Sequence, residues 1–357
     1  MVHTLGVSEL SVEVARAWLQ QLVEPLCQDV NKTDLPLFQA INHMIPLIAE
    51  SKIYPWRPLR CLEVFRKQWA KKQDAYLKSG QWKITSSRNT VPMLLILEPK
   101  TSPPQLRTVV DLHEWNKNTH WLTSPLPDMD GMLRWAASKL FHSTLDLKSA
   151  CEQIRIVPEH VGQSTVTTPD GNMVSQMIQM GDCNALATYQ ALMNHLFSLY
   201  VDWFMDVYLD DIVIYLDSVE DHVNQVSKVL DILIKEKLYL SRGNLRFLAE
   251  ELHIFRQIID GQGIHMDLDK VHVVVKWKTP TNCDLLRGFI GSIGYLVDDI
   301  PGIRLLLGIL SAVTGDAVPF HWGYTKQHAF GDVKELVGAA RDHCQWPLDY
   351  SLTAKLI

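Results

Sequence analysis

Hydrophobic and polar residues along the chain recur with helical or strand spacing, and the N-terminal part favours helices. Five apolar residues share one predicted helix face: Leu10, Val14, Ala17, Trp18 and Leu22. They predict a helical extension over residues 1–52, with a break at 31–36. A second helix is expected over 62–79, where apolar residues keep helical spacing and Lys and Arg fill the opposite face. Gly80 supplies the stop signal for that helix.

From residue 91 onward, short β-rich runs and helical segments follow one another. The expected strands are 91–97, 106–110, 141–146, 153–157, 238–240 and 253–259. The expected helices are 129–138, 187–201 and 221–237. After Thr279 the pattern becomes mostly helical through Leu310.

Two β-rich arms meet at an acidic tip within residues 205–215. This pattern predicts a hairpin whose turn carries Asp210 and Asp211. Adjacent carboxylates repel each other unless a divalent cation or a substrate group compensates their charge. Asp146 ends another apolar strand and would meet the tip if the two strands were sheet neighbours. Three carboxylates would suit two Mg²⁺ ions, roughly 4 Å apart, that promote in-line phosphoryl transfer.

Two plainer interpretations of the acidic tip remain open on the residues alone. The aspartates could be solvated turn residues, or they could form a single Ca²⁺ site. A bare Tyr-x-Asp-Asp match also arises by chance in a small share of chains of this length.

Composition narrows the classes of protein without choosing among them. The chain has 357 residues, 47% of them apolar, which is enough for a globular core and two or three domains. No uncharged apolar run approaches the roughly 18 residues of a membrane span, and the N-terminus does not read as a secretory signal. The six cysteines form no C-x-x-C pair, which argues against a zinc knuckle. We therefore expect an intracellular, cytoplasmic protein.

Charge is distributed unevenly. The net charge is -6, which taken alone argues against a nucleic-acid binder. Residues 52–118 nevertheless contain 13 Lys and Arg against 5 acidic residues, so the rest of the chain is strongly acidic. This segment could present a basic face to a polyanion. Ordinary surface lysines would give the same count.

Several ordered blocks resemble the reverse transcriptase of gypsy-type (Metaviridae) long-terminal-repeat retrotransposons, including its fungal branch. The acidic hairpin at 208–215 and the Asp146 block at 143–148 match its two aspartate motifs. The other matching blocks are 106–111, 116–117, 125–127, 153–156, 168–172, 181–185 and 286–291. The resemblance covers about residues 54–350.

The resemblance implies an α+β fold of the right-hand polymerase type. Residues 1–52 would be a helical extension, 53–260 the fingers and a palm with an antiparallel sheet, and 261–315 a helical thumb. Residues 316–357 would begin a connection segment, truncated before RNase H. The implied activity is RNA-directed DNA polymerisation with two Mg²⁺ ions, Mn²⁺ being an alternative. The implied partners are an RNA or DNA template with its primer and deoxynucleoside triphosphates, without a membrane. A homodimer, a longer polyprotein and location in a virus-like particle or the nucleus stay open.

The resemblance also assigns roles to residues. Asp146 and Asp210 would bridge both metals, with Asp211 as a less direct ligand and the Leu147 carbonyl nearby. The nucleotide-binding residues would be Lys100, Arg107, Cys151, Gln153 and Met180. The primer and template contacts would be Tyr208, Asn184, Phe255 and Arg256. Gln153 and Asn184 could equally be satisfied structural residues.

Four positions depart from the family pattern. Cys151 stands where an aromatic residue usually excludes a ribose 2′-hydroxyl, so discrimination against ribonucleotides should be weak. Asn244 replaces a lysine thought to protonate the leaving pyrophosphate, and Arg256 replaces a glycine of the primer grip. Leu186 also replaces a proline. These departures keep open an alternative, a catalytically eroded or repurposed nucleic-acid-binding protein derived from such an element.

Overall fold

The computed structural model describes residues 11–29, 33–54, 59–87, 89–98, 105–255, 257–261, 263–294, 297, 300–315, 319–339 and 346–347. The chain divides into two compact units. The first comprises residues 1–132 and 141–249, and the second comprises 133–140 and 250–357. The division into fingers, palm, thumb and connection stays a prediction.

The first unit contains two sheets. Its five-stranded sheet has the order β1-β6-β5-β2-β3, with β1 (Trp82–Ile84), β2 (Val91–Glu98), β3 (Gln105–Val110), β5 (Thr165–Thr168) and β6 (Gly171–Ser175). Its four-stranded sheet has the order β7-β8-β4-β9, with β4 (Phe141–Asp146), β7 (Met205–Tyr208), β8 (Asp211–Leu216) and β9 (Arg246–Ala249). Every pairing in this second sheet is antiparallel, which places the acidic tip at one end of it.

Helices cover these sheets. The helices that begin in the first unit are α1 (Val12–Val23), α2 (Arg66–Lys78), α3 (His113–Asn116), α4 (Met129–Ala137), α5 (Ala185–Leu196) and α6 (Val219–Glu236). Helix α6 begins at the Ser218 cap, whose hydroxyl accepts from the Asp221 N–H, and ends at Lys237 in the left-handed region. Its buried residues recur at helical spacing and join the core with α5 and the four-stranded sheet.

The second unit combines a small sheet with helices. Strands β10 (Leu252–Ile254), β11 (Gln257–Asp260), β12 (Gly263–Met266) and β13 (Trp346–Pro347) form a four-stranded sheet in that order. Helices α7 (Leu268–Val275), α8 (Cys283–Ile293), α9 (Ile303–Ser311) and α10 (Tyr324–Ala339) share a separate apolar core. In the described part of the chain, no helix has the length and apolar character needed to cross a membrane.

The α+β class and most predicted elements are confirmed, but the N-terminal extension is helical only in part. Residues 33–54 form no helix and instead lie along the first unit through bridges that pair His43 with Ile156 and Leu47 with Thr119. Pro36 and Pro46 explain this, because proline lacks the N–H that a helix interior requires.

Three predicted strands are also wrong in detail. Residues 153–157 begin in a 3-10 turn, Ala150–Gln153, and continue as isolated bridges. Residues 238–240 contribute one bridge, and 253–259 is split between β10 and β11. The break falls at Phe255, whose φ of 50° lies in the left-handed region and ends strand geometry.

Candidate active site at the tip of a β-hairpin

The acidic tip is a two-residue turn closed by the pairing of Tyr208 with Asp211. Leu209, the first turn residue, adopts a φ of 54°. A side chain in this left-handed region costs about 1 kcal/mol, so the conformation persists only where surrounding contacts hold it. A tight turn of this kind makes both Asp210 and Asp211 project from one end of the sheet.

Gln190 on α5 supplies those contacts. The Leu209 N–H donates to Gln190 Oε1 at 2.8 Å, and Gln190 Nε2 donates to the Val207 carbonyl at 2.9 Å. The side chain is fully buried, so water does not compete for either bond. The amide thereby fixes the turn that carries the carboxylates. Sequence analysis missed this residue, because one glutamine on an amphipathic helix carries no signal of what it faces.

Asp146 reaches the same end of the sheet through the pairing of β4 with β8. Asp146 lies directly opposite Asp211, and the Leu147 N–H donates to the Asp210 carbonyl at 3.1 Å. The three aspartates predicted as a cluster are therefore brought together by backbone register. Asp146 Oδ2 also accepts a 2.7 Å hydrogen bond from Asn244 Nδ2, which places that departure from the family pattern at the cluster.

The carboxylates act on each other and on their neighbours. Burial, followed by the charges of Asp210 and Asp146, raises the pKa of Asp211 to about 6. Burial and the Asp210 charge raise the pKa of Cys151 to about 11, so its thiol is neutral at physiological pH. Burial and the same aspartates raise the pKa of Tyr189. The site is thus a concentration of negative charge.

The residues fit a divalent cation by donor type. Carboxylate oxygens are hard ligands of the kind that Mg²⁺ prefers. Across the described residues, neither Asp210 nor Asp211 pairs with a cationic side chain. Within the same residues, no three His, Cys, Asp or Glu side chains converge closely enough to hold one ion.

Replacing Asp211 by Asn should stabilise the metal-free protein at neutral pH. The folded pKa of about 6 lies above the ordinary value of roughly 3.9, so the folded state binds more protons between these values. The resulting contribution to stability is full below pH 4 and is lost as the pH rises through 6. Since Asp211 is exposed at the start of β8, solvent screens the repulsion, and we expect D211N to gain only about 1 kcal/mol at pH 7.5.

Thermal unfolding without divalent cations at pH 5 and pH 7.5 measures this effect. The gain should be clearly larger at pH 7.5, whereas D231N, at an exposed position on α6, should change neither value. An equal gain at both pH values would contradict the expected repulsion.

Two residues predicted to contact nucleic acid are buried and bond the backbone. Gln153 is 1% exposed, and its amide donates to the Lys148 and Tyr239 carbonyls and accepts from the Tyr239 N–H. Asn184 is fully buried and bonds the backbone of Leu122 and His120. Both amides therefore bond the protein's own backbone, which favours the structural alternative, and their contact with template or nucleotide stays a prediction.

The other predicted nucleotide, primer and template residues lie in several parts of the chain. Arg107 and the 68% exposed Met180 line a cavity of about 620 Å³ in the first unit. Tyr208 is half-buried at the end of β7, and Phe255 lies in the second unit. Two predicted residues, Lys100 and Arg256, lie outside the described residues.

Comparison with known proteins identifies related sequences. A family model described as reverse transcriptase (RNA-dependent DNA polymerase) matches residues 98–274. The chain is 30% identical over 195 residues to the Pol polyprotein of transposon 297 of Drosophila melanogaster, covering 55% of the chain and 18% of that protein. It is 24% identical to the Pol polyprotein of the Drosophila melanogaster transposon opus, covering 83% and 30%. It is 27% identical to the transposon Tf2-3 polyprotein of Schizosaccharomyces pombe, covering 73% and 19%. The chain thus spans less than a third of these relatives.

Solved structures with the same fold cover nearly the whole chain. The foamy viral protease-reverse transcriptase in complex with an RNA/DNA hybrid superposes with a TM-score of 0.76 at 17% identity, covering 95% of this chain and 48% of that one. The same protein in complex with dsDNA gives a TM-score of 0.72 at 18% identity, covering 96% and 75%. At these identities the likeness establishes the fold.

Proposed function

The chain belongs to the reverse transcriptase family of long-terminal-repeat retrotransposons, and from that premise we propose that it is the polymerase core of such an element. It adds deoxynucleotides to the 3′-hydroxyl of a primer paired with an RNA or DNA template. The observation that carries this proposal is the meeting of Asp146, Asp210 and Asp211 at one sheet end.

Asp146, Asp210 and Asp211, with the Leu147 carbonyl, would hold two Mg²⁺ ions or their Mn²⁺ equivalents. When bound, these ions activate the attacking hydroxyl and stabilise the leaving oxygen. The protein contributes a fixed turn, because Gln190 holds the backbone on both sides of Leu209.

Two further residues would act on the phosphates or the metal ligands. Arg107 lines the cavity and would neutralise phosphate charge, as guanidinium groups do in phosphoryl transfer. Asn244 orients Asp146 through its amide, but an amide has no titratable proton to give. The leaving pyrophosphate must therefore take its proton from water, which predicts slow chemistry.

Primer extension by the purified chain tests the proposal. The substrates are an RNA template, a DNA primer and deoxynucleoside triphosphates, with Mg²⁺ or Mn²⁺ in separate reactions. Extension in either metal supports the polymerase. Salt-sensitive binding to the primer–template without extension would favour the repurposed binding protein. Metal binding without nucleic-acid affinity would contradict the polymerase proposal.

Replacing Cys151 by Tyr should increase the selectivity for deoxyribonucleotides over ribonucleotides. The Cys151 thiol is neutral, partly buried and close enough to Asp210 to feel its charge, and it is far smaller than a phenol. We expect the wild-type chain to accept ribonucleotides readily and C151Y to improve discrimination about 10- to 100-fold, as filled pocket volume does elsewhere.

Single-nucleotide incorporation of matched ribo- and deoxyribonucleotides gives the ratio of kcat/KM values. C151S, which keeps the small volume, is the control and should leave the ratio unchanged. An unchanged ratio in C151Y would remove Cys151 from sugar selection.

A further inference from the structure

Two hydrogen-bonded pairs, Tyr76 with Glu152 and Lys72 with Thr108, lie in the wall of the 620 Å³ cavity. Lys72 and Tyr76 lie four residues apart on α2 and therefore share one face of that helix. The Tyr76 hydroxyl donates to the Glu152 carboxylate, at 2.8 and 2.9 Å from its two oxygens. Lys72 Nζ donates to Thr108 Oγ1 at 2.6 Å. All four residues line the cavity.

Through helix α2, these two pairs connect parts of the site that are distant in sequence. Glu152 belongs to the 3-10 turn Ala150–Gln153 and directly follows Cys151, which feels the Asp210 charge. Thr108 directly follows Arg107 on β3. One face of α2 therefore joins the turn beside the aspartates to the strand that carries the candidate phosphate ligand.

Glu152 and Lys72 are partly buried, so water competes weakly for their hydrogen bonds. Burial raises the pKa of Glu152, and the Tyr76 hydrogen bond and the Lys72 charge oppose that shift. Burial lowers the pKa of Lys72, while the Glu152 charge raises it. The Lys72 ammonium also lies 5.6 Å from the Tyr76 ring centroid. Lys72 and Glu152 thus stabilise each other's charge, and the Tyr76 hydroxyl stabilises the Glu152 carboxylate, so removing that hydroxyl should weaken the link through α2.

We propose that Tyr76 and Glu152 are positioning residues that hold β3, and with it Arg107, at a fixed distance from the aspartate cluster. They thereby set the affinity for the triphosphate of the incoming nucleotide. This inference rests on the proposed polymerase function. It concerns a contact between α2 and the turn after β4 that none of the sequence motifs contains.

Y76F is the first test, since it removes one oxygen atom and keeps the ring. We expect the KM for the incoming nucleotide to rise about 10-fold while kcat stays within about twofold of wild type, because ground-state positioning is lost and the metal site is retained. E152Q, whose side-chain oxygen still accepts from Tyr76, should keep a KM near the wild-type value. E152A should behave as Y76F does.

Y215F is the matched control, because it removes the same kind of tyrosine–carboxylate hydrogen bond from another part of the first unit. The Tyr215 hydroxyl donates to Asp206 at 2.7 Å in the core, so Y215F also removes a buried tyrosine–carboxylate bond. It should lower thermal stability without raising KM. A KM increase in Y215F equal to that in Y76F would overturn the assignment, because a general loss of stability would then explain both.

A double-mutant cycle tests whether the effect passes through Arg107. In an R107A background, Y76F should cause no further rise in KM. The same 10-fold rise in both backgrounds would overturn the proposal, as would a fall in kcat with KM unchanged.

Amide hydrogen exchange separates this inference from the proposed function, because it needs no turnover. Y76F should speed exchange in β3, whereas Y215F should not. Unchanged β3 exchange in Y76F would overturn the positioning role whether or not the chain extends primers. If the wild-type chain fails to extend while β3 exchange responds to Y76F, the proposed function fails and the connection between α2 and β3 stands.

Discussion

Replacing Asp210 by Asn is expected to reduce primer extension about 10³-fold or more while leaving the fold intact. The substitution removes a negative charge from the predicted metal site and keeps the size of the side chain. Loss of one group that stabilises transition-state charge costs factors of roughly this size. Asp210 is exposed at the turn, so the core should not respond.

Single-nucleotide extension in Mg²⁺ and Mn²⁺ measures the loss, with thermal unfolding as the check on folding. D231N is the matched control, because it neutralises an exposed aspartate on α6 away from the hairpin tip. It should extend primers as the wild type does. Extension by D210N within tenfold of wild type would exclude the acidic tip as the metal site.

Replacing Gln190 by Ala is expected to lower extension about 10²-fold and to destabilise the protein by about 2 kcal/mol. The change leaves the Leu209 N–H and the Val207 carbonyl without their buried partner, and such unpaired groups cost roughly 1 to 3 kcal/mol. Leu209 would then be free to leave the left-handed region. A displacement of the carboxylates by about 1 Å is enough for a loss of this size.

Asn194 provides the control for Gln190. Its Oδ1 accepts from Gln190 Nε2 at 2.8 Å on the same helix, so N194A removes a neighbour of Gln190 and leaves the bonds of Gln190 to Val207 and Leu209. Extension is measured well below the unfolding midpoint of each variant. If N194A lost as much activity as Q190A, the hairpin bonds would not be the cause.

Local features of this protein were readable from sequence. The hairpin carrying Asp210 and Asp211 was predicted because strand-forming runs flank the turn, and that pattern spans only eleven residues, 205–215. Helices α2 and α6 were also predicted from local pattern. Their apolar residues repeat at helical spacing, and their ends carry stop or cap signals.

Contacts between residues that lie far apart in the chain could not be predicted from the sequence. Residues 33–54 look like the end of a helical segment, yet they form bridges to Ile156 and Thr119, more than 70 positions away. Gln153 and Asn184 occupy family motifs, which suggested ligand contact, but their amides bond the backbone of Tyr239 and His120.

By itself, the sequence determined the type of helices α2 and α6 and of the acidic hairpin, and the presence of three aspartates in family motifs, because periodicity and turn chemistry act between neighbours in the chain. Only the tertiary structure decided that Asp146 stands opposite Asp211, that Gln190 holds the turn and that Tyr76 reaches Glu152. The partners in these contacts are 19 or more residues apart, and β-strand register and helix packing select them from many candidates of the same residue type.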